Sequence, residues 1–373
     1  MKIIHISDLH LGKRLHELSL IPEQEHILGQ ITDIARAESP DCVVIAGDVY
    51  DRTVPSAEAV TLFDRFLTSL ADMELPVLLI SGNHDSPERL AFGSEIMKKR
   101  NIFLSPVYDG TVEPVILRDS FGEVRFYLLP FIRPSSGKRL FPDANIENCT
   151  DIINAAVEKM CIDTSVRNVI VAHQFVTGAS LSDSEELSVG GAENVDASAV
   201  DAFDYAALGH IHNPQNLGSE RIRYCGTPLK YSFSEASREK SVTIAELAEK
   251  GSLTVRTVPL KPIHDLREIK GNFRDIAELP ASEDYLHIIL TDEDDIPDAM
   301  DRLRMRFNNL LWLSYDNMRT RASGSIGQLT AVRVRSPEEI FSDFFSQRNG
   351  SDMSEEQSEY IRSLISEIWE GDK

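Results

Sequence analysis

The sequence predicts a two-sheet α/β sandwich, followed by a small α+β domain and a C-terminal helical hairpin. Short runs rich in β-branched residues alternate with apolar residues at helical spacing over the first 80 residues, which is typical of βαβ units. Hairpin-like pairs of runs follow from about residue 112. Near residue 336 the first of two amphipathic stretches begins after a helix-capping sequence. With 42% apolar residues over 373 positions, the chain can build a substantial core.

The strands of the sandwich are predicted where apolar runs end in polar clusters. These runs are Lys2–Ile6, Cys42–Ala46, Pro76–Ile80, Asn168–Ala172 and Tyr205–Leu208. A helix is predicted between the second and third run, because apolar residues recur there at helical spacing, namely Leu62, Phe63, Phe66, Leu67 and Leu70. Two predicted hairpins indicate a second, more antiparallel sheet: Val115–Leu117 with Val124–Pro130, and Val242–Leu247 with Leu253–Leu260.

Pro259 and Pro262 mark the predicted end of the sandwich, which is assigned to residues 1–262. A small α+β capping domain is predicted over 263–318. Its elements are strands at Leu266–Ile269, Tyr285–Leu290 and Leu311–Tyr315, and helices near Phe273–Leu279 and from Pro297 to about Leu310. An Arg-, Ser- and Gly-rich linker is predicted over 319–335.

The tail, residues 336–373, is predicted to form a helical hairpin. Ser336-Pro337-Glu338-Glu339 and Ser354-Glu355-Glu356-Gln357 both have the residue order of helix starts. A hairpin of this size cannot bury both of its apolar faces on itself. Binding to a groove or helix of a partner and folding back onto the body are therefore equally open outcomes.

Composition excludes some classes of protein. The 38 basic and 60 acidic side chains give a net charge of −22, which disfavours a protein that binds nucleic acid by charge alone. No apolar run reaches the ~18 residues of a membrane helix, and the first residues do not resemble a signal peptide, so we expect a cytoplasmic protein without membrane contact. The four cysteines are dispersed and predict neither disulfides nor a thiolate site.

Histidine, aspartate and asparagine residues cluster just after the predicted strands. The clusters are Asp8 with His10, Asp48 with Asp51, Asn83 with His84 and Asp85, His173 alone, and His210 with His212. In open α/β sheets ligands bind outside the carboxyl ends of the strands, so these clusters are expected to converge.

Oxygen and imidazole donors without thiolates suit Mn²⁺, Fe²⁺, Zn²⁺ or Mg²⁺, and the donors are too many for one ion. With Asp48 bridging, one ion would take Asp8, His10 and His212, and the other would take Asn83, His173 and His210. The spacings Asp8-x-His10 and His210-x-His212 would place each pair on one side of an extended segment. Two cations ~3.5–4 Å apart can stabilise both oxygens of an in-line phosphoryl displacement.

Five sequence blocks resemble those of the calcineurin-like metallophosphoesterases. They are Asp8–His10, Gly47–Arg52, Gly82–Asp85, Ala172-His173 and Gly209–His212. Over about residues 1–260 the resemblance narrows to the SbcD family of nuclease subunits, on Ser7–Arg14, Ser81–Leu90, Gly190–Ser198 and Tyr224–Glu235.

This resemblance implies a nuclease of DNA repair and recombination that uses two Mn²⁺ ions, with Mg²⁺ or another divalent cation as an alternative. The implied activities are single-strand endonuclease, hairpin cleavage and 3′–5′ exonuclease on duplex ends. It further implies a homodimer that binds the coiled-coil ATPase SbcC and forms a heterotetramer associated with the nucleoid. Only SbcC would use ATP in this complex. We expect the tail to bind SbcC. The implied metal ligands are the seven named above, from Asp8 to His212.

His84 is expected to be catalytic, because it follows the ligand Asn83 and therefore points elsewhere. It would protonate the leaving oxygen, or stabilise charge on the phosphate, while an activated water attacks phosphorus. Asp51 would hold the His84 ring in one tautomer. Arg52 would contact a phosphate oxygen, and Asp85 is expected to serve only the turn.

Two other functions compete with the nuclease. Dimetal chemistry is also compatible with a phosphoesterase acting on a small-molecule phosphodiester or a phosphoprotein, although such enzymes need neither the added domain nor the tail. A metal-free scaffold is the third possibility, and the complete donor set argues against it.

Overall fold

The computed structural model describes residues 1–142, 144–180, 182, 194–318 and 320, with a few isolated positions between 341 and 361. The strands in this part of the chain are β1 Lys2–Ile6, β2 Arg14–Leu15, β3 Leu18–Ser19, β4 Cys42–Ala46, β5 Val77–Ile80, β6 Ile102–Leu104, β7 Val115–Asp119, β8 Gly122–Leu129, β9 Arg167–His173, β10 Tyr205–Gly209, β11 Gln215–Leu217, β12 Ser219–Tyr224, β13 Ser241–Leu247, β14 Leu253–Pro259, β15 Leu266–Gly271, β16 Tyr285–Leu290 and β17 Leu310–Tyr315. The α-helices are α1 Ile21–Glu38, α2 Ala57–Ala71, α3 Pro87–Leu90, α4 Ser94–Met97, α5 Gly137–Leu140, α6 Cys149–Lys159, α7 Phe273–Glu278 and α8 Ala299–Arg304.

Two six-stranded sheets form the sandwich in the described residues, which confirms the predicted fold class. Their strand orders are β14-β13-β1-β4-β5-β6 and β11-β12-β10-β9-β8-β7. The prediction that the hairpins build one antiparallel sheet is wrong. The β13–β14 hairpin extends the first sheet beside β1, whereas β7–β8 extends the second beside β9. Both sheets therefore have parallel strands at their centre, because local hairpin patterns do not say which sheet edge a hairpin joins.

The carboxyl ends of the central parallel strands are held in place by a core on both faces of each sheet. Strand β4 is buried at every position, as expected for a strand covered on both sides. Val44 and Ala46 pack between the sheets, together with Val171 and Ala207 of the second sheet. Helices α1 and α2 pack on the outer face of the first sheet, and α6 packs on the outer face of the second.

A three-stranded sheet, β15-β16-β17, follows the sandwich. Within the described residues, 1–290 and 296–314 belong to one compact unit, which includes this sheet as far as Ser314. Helix α8 is shorter than predicted, since Asp298 has a left-handed φ of 54° and the chain turns after Arg304 to bury Phe307. The domain boundaries remain predictions, and the linker and hairpin lie almost entirely outside the described residues. No helix in the described part is long and apolar enough to cross a membrane.

Candidate metal centre

The seven predicted donors lie together at the carboxyl ends of β1, β4, β5, β9 and β10. Donor atoms of Asp8, His10 and His212 lie within 4.8 Å of one another, and so do those of Asp8, Asp48 and His173. Asn83 and His210 join the second group through the contacts described below. The donors converge as the sequence led us to expect, because neighbouring parallel strands end at the same edge of the sandwich.

The prediction that Asp8 and His10 lie on one side of an extended segment is wrong. Asp8 and His10 have φ angles of 52° and 42°, and Asp48 and His210 have 47° and 95°. These residues therefore leave the strands in left-handed conformations instead of continuing them. Such conformations cost about 1–3 kcal/mol each and persist only where the surrounding structure enforces them.

Hydrogen bonds between the strand-end loops enforce this backbone. The Asp8 N–H donates to the Gly47 carbonyl at 3.0 Å, and the His10 N–H donates to the Asp48 carbonyl at 3.0 Å. The His210 N–H in turn donates to Asp8 Oδ1 at 3.0 Å. Gly82 is required for the close approach of the third loop, since a Cβ atom there would collide with the Asp48 carboxylate.

His173 and Asp48 form the centre of the cluster. The His173 Nδ1–H donates to the Ala46 carbonyl at 2.8 Å, which turns Nε2 toward the donors. This Nε2 lies 3.2 Å from Asp48 Oδ2 and 3.0 Å from Asn83 Oδ1. His210 Nδ1 lies 3.1 Å from the same Asn83 oxygen. These contacts bring together Asp48, Asn83, His173 and His210, which are the residues predicted to hold the second ion.

The first ligand group contains two imidazoles that face each other. His10 Nε2 lies 3.2 Å from His212 Nε2 and 3.8 Å from Asp48 Oδ2. The other nitrogen of the His10 ring, Nδ1, is buried and makes no hydrogen bond in the described part of the chain, and neither does His210 Nε2. Imidazole nitrogens and carboxylate oxygens that lie this close together are suited to binding divalent cations, whose positive charge offsets the repulsion between the lone pairs.

Electrostatics in the cluster follow from burial and from the two carboxylates. Burial lowers the pKa of His10 well below its ordinary value, and it lowers that of His210 to about 3. Burial also opposes a charge on His173, but Asp48 and Asp8 outweigh it and raise the pKa of His173 to about 9. His173 in turn holds the pKa of Asp48 well below its ordinary value, against the effect of burial. His10 and His210 are thus neutral at pH 7 and free to act as ligands.

His84 lies at the open side of the cluster. Its side chain is 18% exposed, and Nε2 lies 3.9 Å from Asp48 Oδ2. Its Nδ1–H donates to the backbone carbonyl of Asp51 at 3.1 Å. The carbonyl thus makes the contact that we expected from the Asp51 carboxylate, which instead accepts from Lys13 Nζ at 2.8 Å. Donor atoms of His84, His10 and Asp48 also lie close enough together to hold an ion.

Arg52 lies at the rim of the site. Its side chain is 80% exposed, and Nε is 3.9 Å from Asp51 Oδ2. The guanidinium is therefore accessible to a phosphate, and its role remains a prediction.

Sequence reasoning missed a buried group behind His212. Glu235 Oε1 lies 3.7 Å from His212 Nδ1, and Lys240 Nζ donates to Glu235 Oε2 at 2.5 Å. The same ammonium donates to Thr227 Oγ1 at 2.7 Å and to the His212 carbonyl at 2.9 Å. Glu235 belongs to one of the family-like sequence blocks, but one acidic residue among 60 gives no other signal.

A second missed pair fixes the loop that carries His10. Gln24 Nε2 donates to the His10 carbonyl at 2.7 Å, and the Tyr231 hydroxyl donates to the Leu9 carbonyl at 2.5 Å. Gln24 follows His10 by 14 residues and Tyr231 lies in the block Tyr224–Glu235, but neither position indicates a contact with the loop that carries His10.

Asp85 does more than shape a turn. Its carboxylate accepts the N–H groups of Gly82, Val49 and Tyr50 at 2.9–3.1 Å, and thereby ties the Asn83 loop to the Asp48 loop. Burial and the nearby Asp48 raise its pKa to about 6, so the accepting carboxylate is the main form at neutral pH.

Replacement of Asp85 by Asn should therefore lower stability by about 1–3 kcal/mol, since an amide nitrogen would face backbone N–H groups. Urea unfolding measures the difference. Asp33→Asn, on an exposed carboxylate paired with Arg36, is the matched control. If the two variants have equal stability, Asp85 does not hold the two loops together.

Comparisons with known proteins identify the family. The model of the calcineurin-like phosphoesterase family matches residues 1–214, more than half of the chain, so the chain belongs to this family of metal-dependent phosphoesterases. A second model, the type 5 capsule protein repressor C-terminal domain, matches 262–349. A solved dimetal phosphatase from Danio rerio aligns with a TM-score of 0.40 at 13% identity, over 69% of this chain and 95% of that one. At this score the alignment adds no support.

Two curated relatives narrow the assignment. Both are named as the SbcD component of the nuclease SbcCD. The Staphylococcus epidermidis protein is 33% identical and the Staphylococcus saprophyticus protein 32% identical, and each alignment covers 99% of this chain and 99% of the relative. The chain therefore belongs to the SbcD family of nuclease subunits, which confirms the resemblance seen in the sequence.

Proposed function

We propose that this chain is the nuclease subunit of an SbcCD-type complex and cleaves DNA phosphodiesters with two Mn²⁺ ions. The observation that carries the proposal is the cluster of two carboxylates, one amide and four imidazoles, in which the donor atoms of Asp8, His10 and His212 lie within 4.8 Å of one another, as do those of Asp8, Asp48 and His173. The activities proposed are endonucleolytic cleavage of single strands and hairpins, and 3′–5′ exonucleolytic cleavage of duplex ends. DNA cleavage, rather than hydrolysis of a small phosphodiester, fits the full-length similarity to nuclease subunits.

Asp8, His10, Asp48 and His212 would hold one ion, and Asp48, Asn83, His173 and His210 the other. Divalent ions bound there would supply positive charge to the scissile phosphate and would lower the pKa of an attacking water molecule. The chain positions these groups through the interlocked strand-end loops. Asp48 would serve both sets, because His10 Nε2 and His173 Nε2 lie 3.8 Å and 3.2 Å from its Oδ2.

His84 would complete the reaction by protonating the leaving oxygen. Since the Asp51 carbonyl can only accept, the proton on Nδ1 is fixed and Nε2 faces the donor cluster, 3.9 Å from Asp48 Oδ2. In its protonated form, Nε2–H can donate to the leaving oxygen as the P–O bond breaks, and the ring recovers its proton from solvent. Arg52, exposed at the rim, would hold a non-bridging phosphate oxygen.

A direct assay tests the proposal. Protein stripped with EDTA should show no nuclease activity, and added Mn²⁺ should restore nicking of single-stranded circular DNA, with two ions bound per chain by calorimetry. Hydrolysis of a chromogenic phosphodiester serves as the reference for an intact metal site. If Mn²⁺ restores only that hydrolysis, with and without the ATPase partner, the nuclease assignment is wrong.

The partner is proposed to be the ATPase SbcC, bound through residues 336–373, in a complex with two copies of each protein. Support comes from the two amphipathic stretches of the tail and from the names of the relatives. A chain lacking 336–373 should lose binding to SbcC while it keeps Mn²⁺-dependent hydrolysis of a chromogenic phosphodiester. Co-purification of the shortened chain with SbcC would contradict this assignment.

A further inference from the structure

An aromatic stack outside the metal centre has no part in the chemistry described above. The Trp312 indole on β17 lies parallel to the His287 imidazole, with ring centroids 4.4 Å apart and an interplanar angle of 13°. Trp312 is 47% exposed, whereas His287 is buried. One face of the indole is thus supported by a second ring, and about half of its surface is open to solvent.

The supporting ring is fixed on every side. His287 Nδ1 lies 2.7 Å from Glu268 Oε1, and Nε2 lies 2.8 Å from Ser314 Oγ. Phe233 packs against the same imidazole, with ring centroids 5.2 Å apart. The Trp312 ring therefore rests on a rigid base, and little conformational entropy remains to be lost when a planar ligand stacks on it.

The stack is connected to the metal centre by short pieces of chain. Phe233 begins a 3₁₀ turn that ends at Glu235, the carboxylate beside His212. On another side, the exposed His16 presents its ring to Trp312 in an edge arrangement, with centroids 6.2 Å apart. His16 lies three residues after Lys13, whose ammonium contacts Asp51 at the open side of the metal centre. Trp312 thus contacts two segments, around His16 and around Phe233, that also carry residues next to the metal centre.

The chemistry of this surface fits an unpaired nucleobase. With a net charge of −22, the chain cannot rely on phosphate contacts alone to hold DNA. Stacking on an aromatic face supplies affinity that does not depend on charge, and it tolerates any sequence because every base has a π-face. Inside a duplex the base faces are covered by their neighbours, so a stacking surface discriminates in favour of unpaired nucleotides.

We propose that Trp312, with the edge of His16, is a stacking site for an unpaired DNA base next to the metal centre. The inference rests on the proposed nuclease function and deepens it, since it names the part of the substrate that this surface binds. It gives the enzyme a contact that single strands, hairpin loops and frayed ends offer and that intact duplex does not.

Fluorescence can observe the contact directly, because the chain has two tryptophans, Trp312 and Trp369. In a full-length Trp369→Phe background with EDTA present, oligothymidylate should quench the Trp312 emission in a saturable way, and a blunt duplex should quench it far less. Replacement of Trp312 by Ala should weaken oligothymidylate binding about 10-fold by fluorescence anisotropy of labelled DNA, and Trp312→Phe should weaken it less.

Two controls separate this inference from the function on which it rests. Phe121→Ala removes another half-exposed ring, in the β7–β8 turn, and should bind oligothymidylate like the parent. The circular dichroism spectrum and the content of bound Mn²⁺ of Trp312→Ala should match those of the parent, which shows an intact fold. If the parent neither binds nor cleaves single-stranded DNA, the nuclease function fails and the stacking site with it. If the parent does both, and Trp312→Ala binds equally well or the emission is not quenched, only the stacking site is refuted.

Discussion

Replacement of His84 by Gln should reduce the rate of phosphodiester cleavage by about 10²–10⁴-fold while the content of bound Mn²⁺ stays at the parental level. The glutamine amide can still donate a hydrogen bond to the Asp51 carbonyl, as Nδ1–H does in the parent. It cannot transfer a proton to the leaving oxygen. The fall should therefore appear in kcat with little change in KM, since the interaction is made only in the transition state.

An alternative role of His84 is that of a metal ligand, because donor atoms of His84, Asp48 and His10 lie close enough together to hold an ion. Metal analysis and calorimetry on the His84→Gln variant distinguish the two roles. His26→Gln makes the same change on the exposed face of α1 and should have parental activity and metal content. If His84→Gln loses a bound ion, His84 is a ligand and not the proton donor.

Cleavage of a substrate with a better leaving group provides a further check on proton donation. A nitrophenolate leaving group needs little protonation, so the His84→Gln variant should lose much less activity on a nitrophenyl phosphodiester than on DNA. An equal loss on both substrates would indicate that His84 stabilises charge on the phosphate instead.

The position of the site could be predicted from the sequence because it depends only on where the strands end. Asp8 and Asp48 come just after β1 and β4, and His173 is the last residue of β9; adjacent parallel strands end at one edge of their sheet. The wrong assignment of both hairpins to one sheet therefore did not affect the prediction of where the site lies. The β13–β14 hairpin was recognised as a hairpin, yet its pairing with β1 joins residues about 240 positions apart and leaves no local trace.

The supports of the site could not be predicted, since they come from groups that carry no local pattern. The Asp51 carbonyl, and not its carboxylate, orients His84. Every residue has a backbone carbonyl, so residue types do not indicate which carbonyl makes this contact. The left-handed backbone at Asp8 and His10 is enforced by loops from other strands, so the residue types suggested an extended segment instead. Glu235 and Lys240 become recognisable only when the fold brings them behind His212.

Replacement of Lys240 by Met should lower the free energy of unfolding by about 3–5 kcal/mol, because it removes the cation that the fully buried Glu235 faces. Lys240 is only 4% exposed, so solvent cannot take its place. Lys250→Met is the matched control: that ammonium is 39% exposed in its contact with Asp204, and its loss should cost about 1 kcal/mol or less. Urea unfolding in EDTA measures both variants without any contribution from bound metal.

A double variant, Lys240→Met with Glu235→Leu, separates stability from function. Apolar replacement of a whole buried ion pair is often neutral or stabilising, so most of the lost stability should return. Mn²⁺ affinity should nevertheless stay about 10–100-fold below the parent, because His212 Nδ1 would no longer face the carboxylate that orients its ring. Calorimetric titration of the EDTA-treated protein gives this affinity. If the double variant regains both stability and Mn²⁺ affinity, the pair only fills space, and the orientation of His212 is set by other groups.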